Sequence, residues 1–440
     1  MILLRNFLNI FHIADLRRKL LFTLAVLIVY RIGNHIPVIG IDIQQLKLFM
    51  TQRVGLGGLF SYLDMFSGGN LKQCTLFALG IMPYITSSIM MQILSMSVPS
   101  LERLMKEGDY GRKIINQYTR YLAFVISLVQ SFSFAVMVER YGLVLDPGWG
   151  FRLMFMFSLT IGSMVVMWLG EQIALHGIGS GSSMIIFAGI VARFPHDVFG
   201  TLQAVRDKIM DPVIALVILA IVVAMAACIV FLEKGDRKIP VQYTRRMVGQ
   251  RMYAGQSTYI PFKINTAGIM PVIFSNSVLN VPLFLSAFLA SRYPVFQWLQ
   301  NSMTPTGLLY NVIEFVLIIF FSFFYTALVY NPEELADNIK KSGGFIPGIR
   351  PGRKTAAFFN FLLTRLGLVG AIYLAFLAIA PNLVYAVLPI PLPLSTLSGT
   401  SLLIMVGVAL ETAAQVESYL IEHRYEGFLS SGRMRGGRAR

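Results

Sequence analysis

The chain has 440 residues, 55% of them hydrophobic and only 13% charged, with a mean hydropathy of +0.66. Soluble domains carry about 25% charged residues, so a water-soluble core is excluded and a polytopic membrane protein is indicated. A net charge of +15 alone suits a nucleic-acid binder, but these charges lie between apolar runs, where they set topology and cytosolic contacts.

Residues 1–13 place Leu4, Phe7, Leu8 and Phe11 at helical spacing. The piece is too short to cross a bilayer and is expected to lie along its cytoplasmic surface. The first long apolar run, Leu20–Ile36, follows Arg17, Arg18 and Lys19 as a signal peptide would. No small-x-small cleavage site follows, so it reads as a retained span. Next comes Gly57–Leu94, GGLFSYLDMFSGGNLKQCTLFALGIMPYITSSIMMQIL. Here a stub, Leu59–Phe66, sits between glycine pairs 57–58 and 68–69. It falls short of the about 20 residues a spanning helix needs, and its ends are bendable because glycine lacks a Cβ.

Ten spans are predicted: 20–36, 75–96, 118–138, 153–170, 181–195, 212–232, 265–290, 308–330, 356–380 and 398–420. With a cytoplasmic N-terminus, the cytoplasmic segments hold 25 basic residues and the opposite side 9, counting Arg193 near the end of the fifth span. Cytoplasmic termini follow from the positive-inside rule. The second span contains Gly80 and Pro83, the seventh Gly268 and Pro271, and the fifth opens on Gly177, Gly179 and Gly181.

Gly80-Ile81-Met82-Pro83-Tyr84-Ile85 is matched by Gly268-Ile269-Met270-Pro271-Val272-Ile273, with Ser87 and Ser275 continuing the match. These copies correspond if the chain is two five-span halves. Five is odd, so the halves are inverted, and the working site is expected near mid-membrane at their interface.

A solute carrier needs ionisable groups within its spans. Arg31, Glu314, Arg365 and Glu411 form no evident relay, and each reads as half of a structural ion pair or a snorkelling end. Isoleucines are the alternative lining. Ile81 and Ile85 share one helical face, as do Ile186 and Ile190, and Ile273 holds the matching place in the seventh span. Apolar constrictions gate pores by dewetting, although most membrane isoleucines simply pack.

An intramembrane enzyme is disfavoured. Gly179-Ser180-Gly181-Ser182 and nearby His176 lack a paired base, so capping and turning explain them better. No phosphate-cradling Gly-x-x-x-x-Gly-Lys loop appears, so no energy source or cofactor is expected. Cys74 and Cys228 have no metal-type spacing and are expected as free thiols. Loop 233–263 carries Lys234, Arg237, Lys238, Arg245, Arg246, Arg251 and Lys263, and loop 331–355 carries Lys340, Lys341, Arg350, Arg353 and Lys354. In Ile349-Arg350-Pro351-Gly352 proline fixes φ and glycine permits a turn, so Arg350 should be presented rigidly.

These residues resemble the SecY family, from Leu16-Arg17-Arg18-Lys19-Leu20-Leu21-Phe22-Thr23 to near Glu417. The likeness includes His35-Ile36-Pro37, Phe60–Gly69, the Gly-Ile-Met-Pro repeat, Ile186–Gly189 and Pro240-Val241-Gln242-Tyr243. It continues through Gly255-Gln256-Ser257-Thr258-Tyr259-Ile260-Pro261 and Phe345-Ile346-Pro347-Gly348-Ile349-Arg350-Pro351-Gly352.

The resemblance implies an all-α protein of ten transmembrane helices in two inverted five-helix halves, with a short re-entrant plug helix. The halves are taken as 1–205, with the plug near 57–70, and 206–425; a basic tail, 426–440, is expected to be disordered. It implies a protein-conducting channel for unfolded secretory polypeptides that also releases membrane segments laterally into lipid, in the cell inner (plasma) membrane. Ile81, Ile85, Ile186, Ile190, Ile273 and Ile404 match its pore ring, and Leu59, Phe60, Tyr62, Leu63 and Phe66 its plug. The second and third spans face the seventh and eighth across its lateral gate. Arg245, Arg246, Arg251, Arg350, Arg353 and Lys354 would dock the ribosome or a SecA-type motor ATPase. Small membrane subunits in the manner of SecE and SecG are implied as partners.

Overall fold

The structure is a computed structural model. It describes residues 13–41, 69–71, 73–140, 142–243, 246–248, 251–253, 257–289, 307–387 and 399–435, with the isolated positions 294, 296, 298, 302 and 303. The expected surface segment before residue 13 and the plug stub 59–66, with Leu59, Phe60, Tyr62, Leu63 and Phe66, lie outside the described residues.

A helix occupies each of the ten predicted span positions. These are α1 (Ala14–Gly33), α2 (Met82–Ser97), α4 (Asp109–Arg140), α5 (Trp149–His176), α6 (Gly181–Arg206), α7 (Pro212–Lys234), α8 (Met270–Leu289), α9 (Leu308–Val329), α11 (Arg353–Val387) and α12 (Gly399–Arg435). Two short helices, α3 (Pro99–Lys106) and α10 (Pro332–Lys341), lie between them. Among the described residues seven helices are long and apolar enough to cross a membrane, namely α4, α5, α6, α7, α9, α11 and α12.

Contacts divide the chain into two units. One comprises Met1–Leu202, Asn280–Thr304 and Val408–Arg440, the other Gln203–Leu279 and Pro305–Gly407. The division therefore gives 280–304 and 408–440 to the first unit, unlike a plain cut near 205. The first unit has a core of Leu71, Ala78, Leu79, Phe134, Val138, Phe155 and Leu159. The second packs Ile218, Ile229, Val272, Ile318, Leu374, Ala378 and Leu402.

Several boundaries differ from expectation. Residues 76–81 and 266–269 are turns, and α2 and α8 start only at Met82 and Met270. Gly80 and Gly268 adopt φ of +56° and +64°, a left-handed conformation that glycine takes without steric penalty. Pro83 and Pro271 then fall in the first helical turn, where a missing N–H costs nothing. The glycine–proline pairs are thus helix starts, not kinks inside spans. The short fifth span extends to Arg206 through Pro195. The expected irregular tail is helical to Arg435, because extending an existing helix avoids the cost of a new nucleus.

The two hinges share more than their sequence match. Leu76 N–H, four residues before Gly80, donates to the Ile36 carbonyl at 2.9 Å; Ile264 N–H, four before Gly268, donates to the Gly235 carbonyl at 2.9 Å. The first turn closes on the Ile81 carbonyl from Tyr84 and Ile85 (3.1 and 3.2 Å), and on the Ile269 carbonyl from Val272 and Ile273 (3.0 and 3.4 Å).

Outside the helices, β1 (Asp236–Tyr243) pairs antiparallel with β4 (Ser257–Lys263), from Asp236↔Lys263 to Gln242↔Ser257. β5 (Gly344–Phe345) adds to the other edge of β1 through Gln242↔Phe345 and Tyr243↔Gly344. β2 (Arg246–Val248) and β3 (Arg251–Tyr253) form a hairpin of their own. The two basic loops, read separately from sequence, are therefore one lobe. Its core is Ile239, Val241, Phe262, Ala336, Ile339, Ile346, Phe359 and Leu363.

Candidate functional site: buried isoleucines at hinged helix starts

Each of the six isoleucines lies close to the start of its helix. Ile81 caps α2 and Ile85 follows one turn on. Ile273 is in the first turn of α8. Ile186 stands five residues after Gly181, the first residue of α6, and Ile404 five residues after Gly399, the first residue of α12. Ile190 is one turn beyond Ile186. All six are buried, between 0% (Ile404) and 7% (Ile190) exposed. Ile28 and Ile32 on α1 and Ile161 on α5 are by contrast more than half exposed, although other isoleucines such as Ile89 and Ile185 are buried too. The six are therefore turned away from the face a bilayer would cover.

The starts of α6 and α12 are set by the same device. A Cβ on Gly181 would overlap the Gly170 carbonyl of α5; one on Gly399 would overlap the Ala378 carbonyl of α11 and come within 2.5 Å of the Leu377 carbonyl. Glycine permits such close helix approach, the main source of packing energy where lipid removes the hydrophobic drive. Gly170 also touches Ile81, whose Cδ1 lies 3.2 Å from the place of an added Cβ.

Several hydroxyls near these starts are hydrogen-bonded. Ser180 Oγ donates to Ser183 Oγ at 2.6 Å, Gly179 N–H to Gln415 Oε1 at 2.8 Å, and Ile178 N–H to Thr23 Oγ1 at 3.0 Å. Ser87 Oγ donates to the Pro83 carbonyl at 2.7 Å. Its repeat counterpart, Ser275 Oγ, is buried with no hydrogen-bond partner among the described residues. His176 packs against Phe22, with ring centroids 5.7 Å apart and the rings tilted by 60°.

The ionisable span residues stay scattered. Arg365 lies over Phe361 at 5.2 Å. Glu314 departs from the ion-pair or snorkelling reading: it is fully buried, and neither carboxyl oxygen has a hydrogen-bond partner among the described residues. It sits on the α9 face that packs on α11, one turn from Asn311, whose Oδ1 accepts from Asn382 Nδ2 at 3.1 Å. Cys74 and Cys228 are free thiols, the first buried and the second exposed.

In the lobe, Arg350 is exposed and sits between two turns, 347–348 and 351–352. Gly348 and Gly352 on either side have φ of +84° and +103°. The Arg350 carbonyl accepts from Thr355 Oγ1 at 3.0 Å, and buried Ile346 anchors the turn below. Arg353 and Lys354 are exposed beside it. Arg245 lies outside the described residues; Arg246 and Arg251 have described backbones in β2 and β3. The pairing of the two loops has a signal in retrospect, since Ile239 and Val241 alternate with the exposed Lys238, Pro240 and Gln242 as in a half-buried strand.

Taken together, ten helices, two of them with glycine-hinged starts, and the sequestered aliphatic side chains define a multi-pass, mostly helical membrane protein built on a repeated five-helix plan. The family model for SecY matches residues 75–413. The protein translocase subunit SecY of Streptomyces scabiei is 43% identical, covering 97% of this chain and 100% of its own length. Those of Thermus thermophilus and Escherichia coli K12 are each 42% identical, covering 99% and 96% of this chain and the same shares of their own. The chain belongs to the SecY family. Among solved structures, one described as a protein conducting channel superposes with a TM-score of 0.67 at 18% identity, covering 91% of this chain and 92% of the other. Sec61 in a canine ribosome–channel complex superposes with a TM-score of 0.62 at 17% identity, covering the same shares. At these identities the likeness is one of fold.

Proposed function

We propose that this chain is the channel subunit of a protein translocase, passing unfolded secretory polypeptides across the cell inner membrane and releasing apolar segments sideways into lipid. The observation that carries this reading is the burial of Ile81, Ile85, Ile186, Ile190, Ile273 and Ile404 at anchored helix starts. In this reading they form one constriction. Branched aliphatic side chains hold a passing chain without hydrogen-bonding it, so they suit any sequence. They also resist wetting, so ions do not follow. Leu59, Phe60, Tyr62, Leu63 and Phe66 close the channel as a plug, and the second and third spans part from the seventh and eighth as a lateral gate.

Both termini are cytoplasmic, which the distribution of basic residues supports. The β-lobe then faces the cytosol. Arg245, Arg246, Arg251, Arg350, Arg353 and Lys354 dock a ribosome or a SecA-type motor ATPase, which supplies the force. The guanidinium fork of Arg350 suits a carboxylate or phosphate on that partner. Small subunits like SecE and SecG complete the complex, and the chain carries out no chemistry of its own.

A crosslinking scan tests the constriction. A stalled secretory chain with a photoreactive residue at its midpoint should label Ile81, Ile85 and Ile190 together. Labelling confined to exposed positions such as Ile28 and Ile161 would remove the reading.

A further inference from the structure

The hinges are pinned by helices that supply none of the six isoleucines. On α5, a Cβ at Gly162 would overlap the Leu76 carbonyl oxygen and lie 2.8 Å from its carbon. On α11, a Cβ at Gly370 would come within 2.6 Å of the Ile264 carbonyl oxygen. Leu76 and Ile264 hold the same place in the two hinges, four residues before Gly80 and Gly268. Gly162 and Gly370 also match in their helices: eight residues beyond each stand Gly170 and Ala378, the residues on which α6 and α12 start. No sequence motif marks these positions, and the correspondence is visible only in the packing.

A second fastener acts on each hinge glycine's carbonyl, and here the copies differ. Ser163, next to Gly162, donates its Oγ to the Gly80 carbonyl at 3.3 Å. The residue next to Gly370 is Ala371, which has no donor. Instead Asn265 Nδ2 donates to the Gly268 carbonyl at 2.9 Å and to Glu233 Oε1 at 2.7 Å. Each hinge is therefore held twice: by a glycine seat on the carbonyl four residues upstream, and by a side-chain donor on the hinge carbonyl itself.

We propose that Gly162 and Gly370, with Ser163 and Asn265, are positioning residues for the aperture, setting where the hinges place Ile81, Ile85 and Ile273 at rest. The inference rests on the reading of those isoleucines as a constriction. The seats admit no methyl group, because what a methyl meets is backbone with nowhere to retreat. An added methyl moves the hinge, and with it the start of α2 or α8. Alanine is the better helix former, so the substitution does not weaken α5 or α11 themselves.

The test uses the full-length chain in its assembled complex, in planar bilayers and in cells. Gly162→Ala and Gly370→Ala should each raise resting ion conductance about tenfold, and each should export a preprotein with a defective signal sequence that the unsubstituted channel rejects. Gly367→Ala, on the same helix but with open space around its Cβ, should change neither. Ser163→Ala and Asn265→Ala, which remove a donor without adding bulk, should raise conductance about threefold. They decide the matter if the glycine variants fail to accumulate. A role in folding alone would lower the amount of channel without raising leak per channel or relaxing signal selection. Assembled variants with unchanged conductance and selection would overturn the inference. An Ile85→Ser, Ile190→Ser double variant in the same bilayers separates the two levels. Leak there with silent hinge variants removes only the positioning role, whereas no leak there removes the constriction and the inference together.

Discussion

The helix starts and the β-lobe use opposite chemistry. The six isoleucines are branched, uncharged and almost wholly buried, and their placement depends on backbone conformations that glycine makes possible. The lobe buries a small β-core but displays Arg350 beside a turn and Arg353 and Lys354 at the start of α11. A surface that must accept any polypeptide gains from side chains without hydrogen-bonding preferences. A surface that must recognise one partner gains from charge held in a fixed place. The two regions should therefore fail independently and under different assays.

The largest effect is expected at the isoleucines. On the proposed reading of these side chains as a constriction, serine at both Ile85 and Ile190 lets water wet it, and resting single-channel conductance should rise by about two orders of magnitude. Ordinary export should persist, because a polar waist still admits a chain. Unchanged conductance would show that these side chains are packing residues and would dissolve the contrast.

The second effect inverts the first. Arg350→Glu should abolish motor-driven export while leaving resting conductance and the amount of assembled channel unchanged. Its turn survives the change, because Gly348, Gly352 and the Thr355–Arg350 hydrogen bond do not use the guanidinium. Wild-type export by this variant would remove Arg350 from the docking surface. A rise in leak would mean that the two regions are not independent.

Much of this was legible in the sequence, for identifiable reasons. Apolar runs between basic segments report spans directly, since a bilayer imposes length and charge limits on each. The Gly-Ile-Met-Pro repeat was visible as letters. Its meaning as a helix start was not, because Gly80 and Pro83 read equally as a kink until their φ and position are known. The seats at Gly162 and Gly370 could not be read, since a glycine within a membrane helix gives no sign of what approaches it. The joining of the two basic loops into one sheet was hidden for a similar reason. Strand pairing across about 100 residues, Gln242 to Phe345, is set by tertiary packing, and β5 is only two residues long. The match at Ile404 followed from family likeness alone, and no residue pattern around it marks it out.

The smallest effect tests whether exposed charge on the loops also holds the fold. Glu102 and Lys106 on α3 form an i,i+4 pair at 2.6 Å, with side chains 50% and 75% exposed. The lysine hydrogen bond and charge hold the Glu102 carboxyl below the ordinary glutamate range. The sign follows from linkage. A carboxyl with a depressed folded-state pKa adds stability above its unfolded value and loses it as pH falls through the folded value. Any contribution should therefore be complete at neutral pH and vanish only in acid, below the usual carboxylate range. Exposed pairs of this kind are screened by water and salt and add little. Glu102→Gln should leave the thermal midpoint of the detergent-solubilised channel unchanged at neutral pH, and should flatten at most a slight acid-side slope. A clear loss of stability at pH 7 would mean that α3 is held by its charges rather than by its place between α2 and α4. In that case the division between a charge-free packed interior and a charge-bearing, energetically silent loop surface would need to be redrawn at this point first.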